Sequence, residues 1–120
     1  MAADTPKPDA FLAACPSRDV MARLGEKWTM LVLVALTPGA IRFGALHRRV
    51  EGVSQKMLSQ TLRHLEEDGM VTRHVFDERP LKVEYKLTEL GRSVLPLVDA
   101  IKRWSEENLA QIQAARDARG

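Results

Sequence analysis

The chain has one cysteine, Cys15, among 120 residues. A single cysteine excludes an internal disulfide framework and a metal site built from several thiolates. Three roles stay open for it: an inert packed thiol, a reactive thiol, or a disulfide between two chains. Any redox chemistry of the chain is therefore confined to one position.

Long apolar runs are also absent. The longest, residues 30–36, is far shorter than the roughly 20 residues of a membrane-spanning helix, so it predicts a buried helix. The N-terminal stretch MAADTPKPDA contains two prolines, acidic charge and no apolar segment, which is unlike a secretory signal. These observations favour a cytoplasmic protein with no membrane partner.

Metal-binding spacing is missing as well. The three histidines, His47, His64 and His74, lie far apart in the chain and have no pair of cysteines beside them. A structural zinc site would need closely spaced ligand pairs. We therefore predict no metal site and no cofactor.

The composition is that of a small globular protein. A hydrophobic fraction of 45% and a charged fraction of 28% over 120 residues suffice for one core. The net charge of +2 is too small to indicate a nucleic-acid partner by itself. The distribution of charge along the chain has to decide that question.

Local patterns divide the chain into three parts. Residues 1–14 are rich in Ala, Pro and Asp without periodicity and predict a flexible N-terminal arm. Residues 15–88 contain three short helical patterns, a longer fourth one and two β-rich runs, which we interpret as one DNA-binding domain. Residues 89–115 carry a long apolar stripe and predict a C-terminal dimerisation helix or a kinked helix pair.

Residues 54–68 are the most informative segment, because they predict a helix with one apolar and one polar face. Ser54 suits the N-cap position. Leu58, Leu62 and Leu65 recur at helical spacing and are expected to face inward. Another face carries polar and basic side chains at the same spacing: Lys56, Ser59, Gln60 and Arg63.

Two β-rich runs follow, residues 71–76 and 82–87, joined by a charged tip that contains Pro80. A polar-faced helix followed by a β-hairpin predicts a winged helix-turn-helix, mainly α-helical with a small β-hairpin wing at about 71–87.

Amide side chains can read base edges, and cations can pair with guanine or phosphate. The candidate DNA-binding residues are Ser54, Gln55, Lys56, Ser59, Gln60 and Arg63 on the helix, Arg79 and Lys82 on the wing, and Arg42 ahead of the third helix. Further positive charge comes from Arg48, Arg49 and Arg73.

A polar helix face is most often simply solvated, so the position of the carboxylates matters. Glu66, Glu67 and Asp68 all lie at the end of the segment, and none lies between positions 54 and 65. Approach to phosphate favours such a carboxylate-free half. The distribution therefore favours double-stranded DNA as a partner.

The last helix begins after Thr88, which suits an N-cap, and its apolar stripe runs from Leu90 to Ile112. The stripe is too long for a domain of this size to cover. It predicts a second copy of the chain as partner, the alternative being a helix that folds back on its own domain. Pro96 should kink or divide the helix, because a mid-helix proline removes one backbone hydrogen bond.

Six short motifs occur in order along residues 15–104. They are Cys-Pro at 15, Gly-x-Lys-Trp-Thr at 25, Arg-Phe at 42, Ser-x-x-x-Leu-Ser at 54, Leu-Glu-x-Asp-Gly at 65 and Val-Glu-Tyr-x-Leu-Thr-x-x-Gly at 83. With these motifs the chain resembles the HxlR family of winged helix-turn-helix transcriptional regulators, relatives of the MarR group. Two positions depart from the family pattern: Glu26 replaces a usual glycine, and the tip has Pro80 followed by Leu81 instead of two prolines.

The resemblance implies a homodimer on a near-palindromic operator, with helix one and the C-terminal helix forming the subunit interface. It also implies a role for Cys15, since in some family members the matching cysteine is a redox sensor that forms an inter-subunit or mixed disulfide. At the N-terminus of helix one, the helix dipole and Arg18 would favour the reactive thiolate. The effector would then be an oxidant or an electrophile.

Other functions compete with this interpretation. A small-molecule effector could occupy a pocket walled by Phe11, Trp28 and Trp104, although aromatic residues at such positions are more often core. An enzyme using the Cys15 thiol would need a nearby base, and no histidine lies within 30 residues of it, so we predict no enzymatic activity. A winged helix used only for protein–protein contact would show little DNA sequence preference at any salt concentration.

Overall fold

The computed structural model describes residues 7–120, which form six α-helices and a three-stranded antiparallel sheet. In chain order the elements are α1 (Ser17–Leu24), α2 (Lys27–Ala35), β1 (Ile41–Arg42), α3 (Phe43–Arg49), α4 (Gln55–Glu67), β2 (Val71–Phe76), β3 (Lys82–Leu87), α5 (Glu89–Glu107) and α6 (Leu109–Ala118). The predicted mainly α fold with a small β wing is confirmed. The predicted arm, residues 1–14, lies partly outside the described residues; within the described part, the Leu12 N–H donates to the Asp9 carbonyl at 3.0 Å.

Helix α2 occupies the centre of the fold, as its apolar sequence predicts. Val32, Leu33 and Leu36 are completely buried, and α2 packs against α1, α3, α4 and α5. A helix that is apolar on every side is stable only when other elements surround it. None of the helices in the described part of the chain has the length and apolarity to cross a membrane.

Helix α4 begins and ends at capping motifs that its sequence encodes. The Ser54 hydroxyl accepts a hydrogen bond from the Met57 N–H at 3.0 Å. At the other end, Gly69 has φ +74°, and the N–H groups of Gly69 and Met70 donate to the Glu66 and Leu65 carbonyls. This pairing is a Schellman motif, in which glycine tolerates the left-handed conformation. The caps fix α4 between a tight turn and the wing.

The inward face of α4 is the predicted one. Leu58, Leu62 and Leu65 are buried, together with Thr61 on the same side of the helix. They pack in the same core as α2, and each buried leucine contributes roughly 1.5–3 kcal/mol relative to an exposed one. Burial of this face leaves the opposite side of the helix in solvent.

The wing sheet has the strand order β1-β3-β2, with every neighbouring pair antiparallel. Strands β2 and β3 have the predicted bounds, and their register pairs Arg73 with Tyr85 and His74 with Glu84. A third, two-residue strand at Ile41–Arg42 pairs with β3, and it places Arg42 opposite Glu84. Because β1 precedes α3 directly, the sheet is tied to the helix-turn-helix through β1, the edge strand that pairs with β3.

The C-terminal helix starts at the predicted cap. The Thr88 hydroxyl accepts a hydrogen bond from the Gly91 N–H at 3.1 Å and donates to the Gly69 carbonyl at 2.6 Å. Val94 and Val98 then enter the core beside α2, so the first half of α5 does pack on its own domain.

Pro96 does not divide the helix, contrary to one of the two outcomes expected from the sequence, because α5 continues through it from Glu89 to Glu107. The hydrogen bond that proline lacks would go to the carbonyl of Arg92, and both residues lie on the exposed side where water can replace it. Burial of Val94 and Val98 holds the helix on either side of the proline. The C-terminal helical segment is divided instead at Asn108, between α5 and α6. The side-chain amide of Asn108 donates to the Trp104 carbonyl at 2.9 Å.

Candidate nucleic-acid interface

The outer face of α4 is polar and open to solvent. Every predicted helix residue is exposed: Ser54, Gln55, Lys56, Ser59, Gln60 and Arg63. At 3.6 residues per turn, Lys56, Gln60 and Arg63 lie on the side directly opposite the buried leucines. Amide and guanidinium groups on this side are free to approach the edges of base pairs.

The carboxylates of α4 are kept at its far end. Glu67 and Asp68 lie beside Arg23 of α1, whose guanidinium donates to the Asp68 carboxylate at 2.8 Å and lies 3.7 Å from Glu67. This ion pair neutralises part of the acidic end and ties it to α1. The first two turns of α4 carry no carboxylate, as the sequence predicts.

A concave groove of about 510 Å³ separates α4 from the wing. Ser59 lines it on the helix side, while the cations that line it are Arg42, Arg73, Arg79 and Lys82. Glu78 is the one carboxylate among the lining residues. The structure thus brings the predicted residues Arg42, Ser59, Arg79 and Lys82 into one basic groove, and the remaining predicted residues lie on the adjoining face of α4.

Lys82 is not a free cation. Its ammonium lies 3.2 Å from the Glu84 carboxylate and 4.4 Å from the centre of the Phe76 ring. This arrangement limits its availability for a phosphate contact, which the sequence did not indicate. From the sequence, Arg73 contributes only additional positive charge; the structure shows that it lines the groove. Its alternation with Val71 and Val75 is the sequence signal that could have located it.

A second exposed surface is apolar. On α5 the exposed fractions are 65% for Leu97, 50% for Ile101 and 59% for Trp104. The stripe predicted from the sequence is therefore split, with Val94 and Val98 in the core and these three side chains outside it. Exposed apolar residues are also found on α1 and α6: Val20, Met21 and Leu109.

Cys15 lies two residues before α1, in a polar setting with partial exposure. Its sulfur is 3.0 Å from the Ser17 hydroxyl and accepts a hydrogen bond from the Asp9 N–H at 3.2 Å. The Ser17 hydroxyl, then the backbone N–H groups of Ser17 and Asp9, lower the pKa of the Cys15 thiol. Arg18 does not supply this effect as expected, because its guanidinium donates to the carbonyls of Ala10 and Phe11.

The three aromatic residues of the predicted effector pocket occupy different environments. Phe11 is 93% exposed and Trp104 is largely exposed, whereas Trp28 packs against the core with the Lys27 ammonium 4.6 Å from its ring centre. A cavity walled by Phe11 and Trp104 would need a second chain to close it. The pocket stays a prediction.

Two helices, α3 and α4, joined by a tight turn and followed by a three-stranded wing define a winged helix-turn-helix, the fold of DNA-binding transcriptional regulators. The chain belongs to the HxlR family, because the family model for the HxlR-like helix-turn-helix matches residues 23–113.

Named relatives agree with this assignment. The HTH-type transcriptional regulator YtfH of Escherichia coli K12 is 45% identical over 109 residues, covering 91% of this chain and 86% of its own. The structure of ytfH from Salmonella typhimurium has a TM-score of 0.87 at 43% identity, covering 92% of this chain and 99% of that one. The redox regulator HypR in its oxidised form has a TM-score of 0.71 at 39% identity, covering 78% and 97%.

The chain is therefore a DNA-binding transcriptional regulator of the helix-turn-helix type. Its relatives are transcriptional regulators, which are not enzymes.

The hydrogen bond between Ser17 and Cys15 predicts a shift in thiol reactivity. Because the Ser17 hydroxyl favours the thiolate, S17A should raise the pKa of Cys15 and move the midpoint of alkylation by iodoacetamide to higher pH. The measurement is the alkylation rate as a function of pH, with S93A as a control for loss of a distant hydroxyl. Equal midpoints for wild type and S17A would contradict this account of the thiol.

Proposed function

We propose that the protein acts as a homodimer on a near-palindromic operator, with α4 of each chain in a major groove. The observation that carries the proposal is the exposed, carboxylate-free face of α4 beside a basic groove. A helix of this kind can lie in the major groove of B-form DNA, which is wide enough to admit it. In a two-fold dimer the half-sites would lie about one helical turn apart, or a multiple of it.

Base and backbone contacts divide between the helix and the wing. Gln60 and Arg63 project from the centre of the exposed face and would read base edges. Ser54 and Ser59 suit phosphate contacts, and Arg79 at the exposed tip would place a cation near the minor groove or the backbone. The N-terminus of α4 adds its partial positive charge near phosphate.

The exposed apolar surface on α1 and α5 supports dimerisation. Leu97, Ile101 and Trp104 are each at least half exposed and follow one another at helical spacing. Contiguous exposed apolar residues of this kind favour a protein–protein interface. We infer that α5 packs against its copy, with α1 at the edge of the interface.

The switch is thiol oxidation at Cys15. Its lowered pKa supports reactivity toward oxidants and electrophiles, and a relative at 39% identity is named a redox regulator. Two Cys15 thiols, one from each subunit, would lose two electrons and two protons to a diazene oxidant such as diamide, which becomes a hydrazine. This disulfide requires the two Cα atoms to lie within about 7 Å; otherwise a small thiol would form the mixed disulfide.

Substitutions on α4 should separate sequence reading from general affinity. Q60A and R63A should each weaken operator binding by about 1–3 kcal/mol and binding to unrelated DNA much less, because base contacts supply specificity. R79A should weaken both alike. Fluorescence anisotropy with a selected operator and a scrambled duplex measures this, with R116A on α6 as control. Equal losses on both duplexes for all three variants would contradict the division of roles.

The apolar surface predicts a dimer that one charge can disrupt. I101D places a carboxylate in the centre of the interface and should give a monomer at micromolar concentration, detected by sedimentation velocity. L81D is the matched control, since Leu81 is also exposed but lies at the wing tip. A wild-type protein that sediments as a monomer, or an I101D variant that stays dimeric, would rule out this interface.

Oxidation should change DNA binding through one residue. Diamide should produce a dimer band on a non-reducing gel, or a mixed disulfide when a small thiol is added, together with altered operator affinity that dithiothreitol restores. C15S should show none of these effects while binding the operator normally. Wild-type protein with no band, no adduct and unchanged affinity after diamide would end the thiol-switch proposal and leave the DNA-binding proposal intact.

A further inference from the structure

Arg73 lies on the wing at a position where the alternation of strand β2 predicts an apolar residue. Strand β2 alternates, so Arg73 shares one face with Val71 and Val75. Its register partner Tyr85 is buried, and Val75 lies opposite Val83. Arg73 is therefore a cation on the face of the sheet that looks toward the helices, and not on the outer face.

No carboxylate neutralises this cation among residues 7–120. The ion pairs in this part of the chain involve Arg23, Lys82, Lys102 and Arg103, and none includes Arg42, Arg73 or Arg79. Arg73 is also exposed, so its guanidinium is available to an anion that approaches the groove from solvent. The groove supplies the space for one, with a volume of about 510 Å³.

The surroundings of Arg73 fit a phosphodiester. Ser59 of α4 lines the same groove and can donate its hydroxyl to a phosphate oxygen, and Arg42 lines it from β1. A guanidinium matches two phosphate oxygens with two parallel N–H groups. Lys82 is already paired with Glu84, so the arginines supply the available charge.

We propose that Arg73 and Ser59 bind one phosphodiester of the DNA backbone in the groove between α4 and the wing. This inference rests on the proposed DNA-binding function and assigns its backbone contact to residues inside the groove instead of the wing tip. One strand held there would fix the depth at which α4 enters the major groove, because Ser59 belongs to α4 itself. The contact would add affinity without sequence preference.

The test is the salt dependence of binding by R73Q. Each lost phosphate contact should reduce the slope of log affinity against log salt concentration by about 0.9, equally on a selected operator and on an unrelated duplex. K86Q is the matched control, because Lys86 is exposed on the same hairpin but lies on the opposite face of the sheet. R73K should keep the slope and lose affinity, since lysine keeps the charge but not the paired donors.

The outcomes are distinguishable. A smaller slope for R73Q with an unchanged slope for K86Q supports the groove contact, and S59A, from the helix side of the groove, should lower affinity equally on both duplexes if R73Q folds poorly by thermal melting. A wild-type slope for R73Q, wild-type affinity for S59A, or an equal loss of slope for K86Q overturns the groove contact while DNA binding stands. Wild-type protein that binds neither duplex in a salt-dependent way overturns the proposed function itself.

Discussion

The packing of both α4 and α5 on the apolar helix α2 is the constraint on which the rest of the structure depends. Helix α2 buries Leu58, Leu62 and Leu65 of α4, so the amide and cationic side chains of that helix must face solvent. Val94 and Val98 of α5 are buried in the same core, which leaves Leu97, Ile101 and Trp104 of α5 exposed. One core therefore positions both the surface proposed to face DNA and the apolar surface proposed to bind a second chain.

The features that the sequence predicts correctly are those that depend on chemistry within a few residues of the chain. The Ser54 and Thr88 caps and the two alternating strands depend on neighbours a few residues away, and each appears where expected. The Lys82–Glu84 pair and the partners of Arg18 depend on side-chain placement, which periodicity does not encode. The sequence likewise leaves open whether Pro96 divides the helix, since tolerance of a helical proline depends on what surrounds the freed carbonyl.

Helix α1 connects the thiol with α4. Cys15 precedes its first turn, and Arg23 in its last turn donates to Asp68 at the end of α4. No residue of α1 is buried, so few contacts besides this ion pair and Leu24 hold the helix to the core. A disulfide that moved α1 would act directly on the Arg23–Asp68 contact, and a weakly packed helix suits that role because it can move without unfolding the core.

The central claim is that α4 reads base edges in a major groove, and methylation interference tests it most directly. DNA fragments selected by the reduced protein would be methylated at guanine N7, in the major groove, and at adenine N3, in the minor groove. The account predicts that guanine methylation blocks binding at two symmetric positions about one helical turn apart. Interference confined to adenine, or no interference at any base in bound fragments, would contradict it.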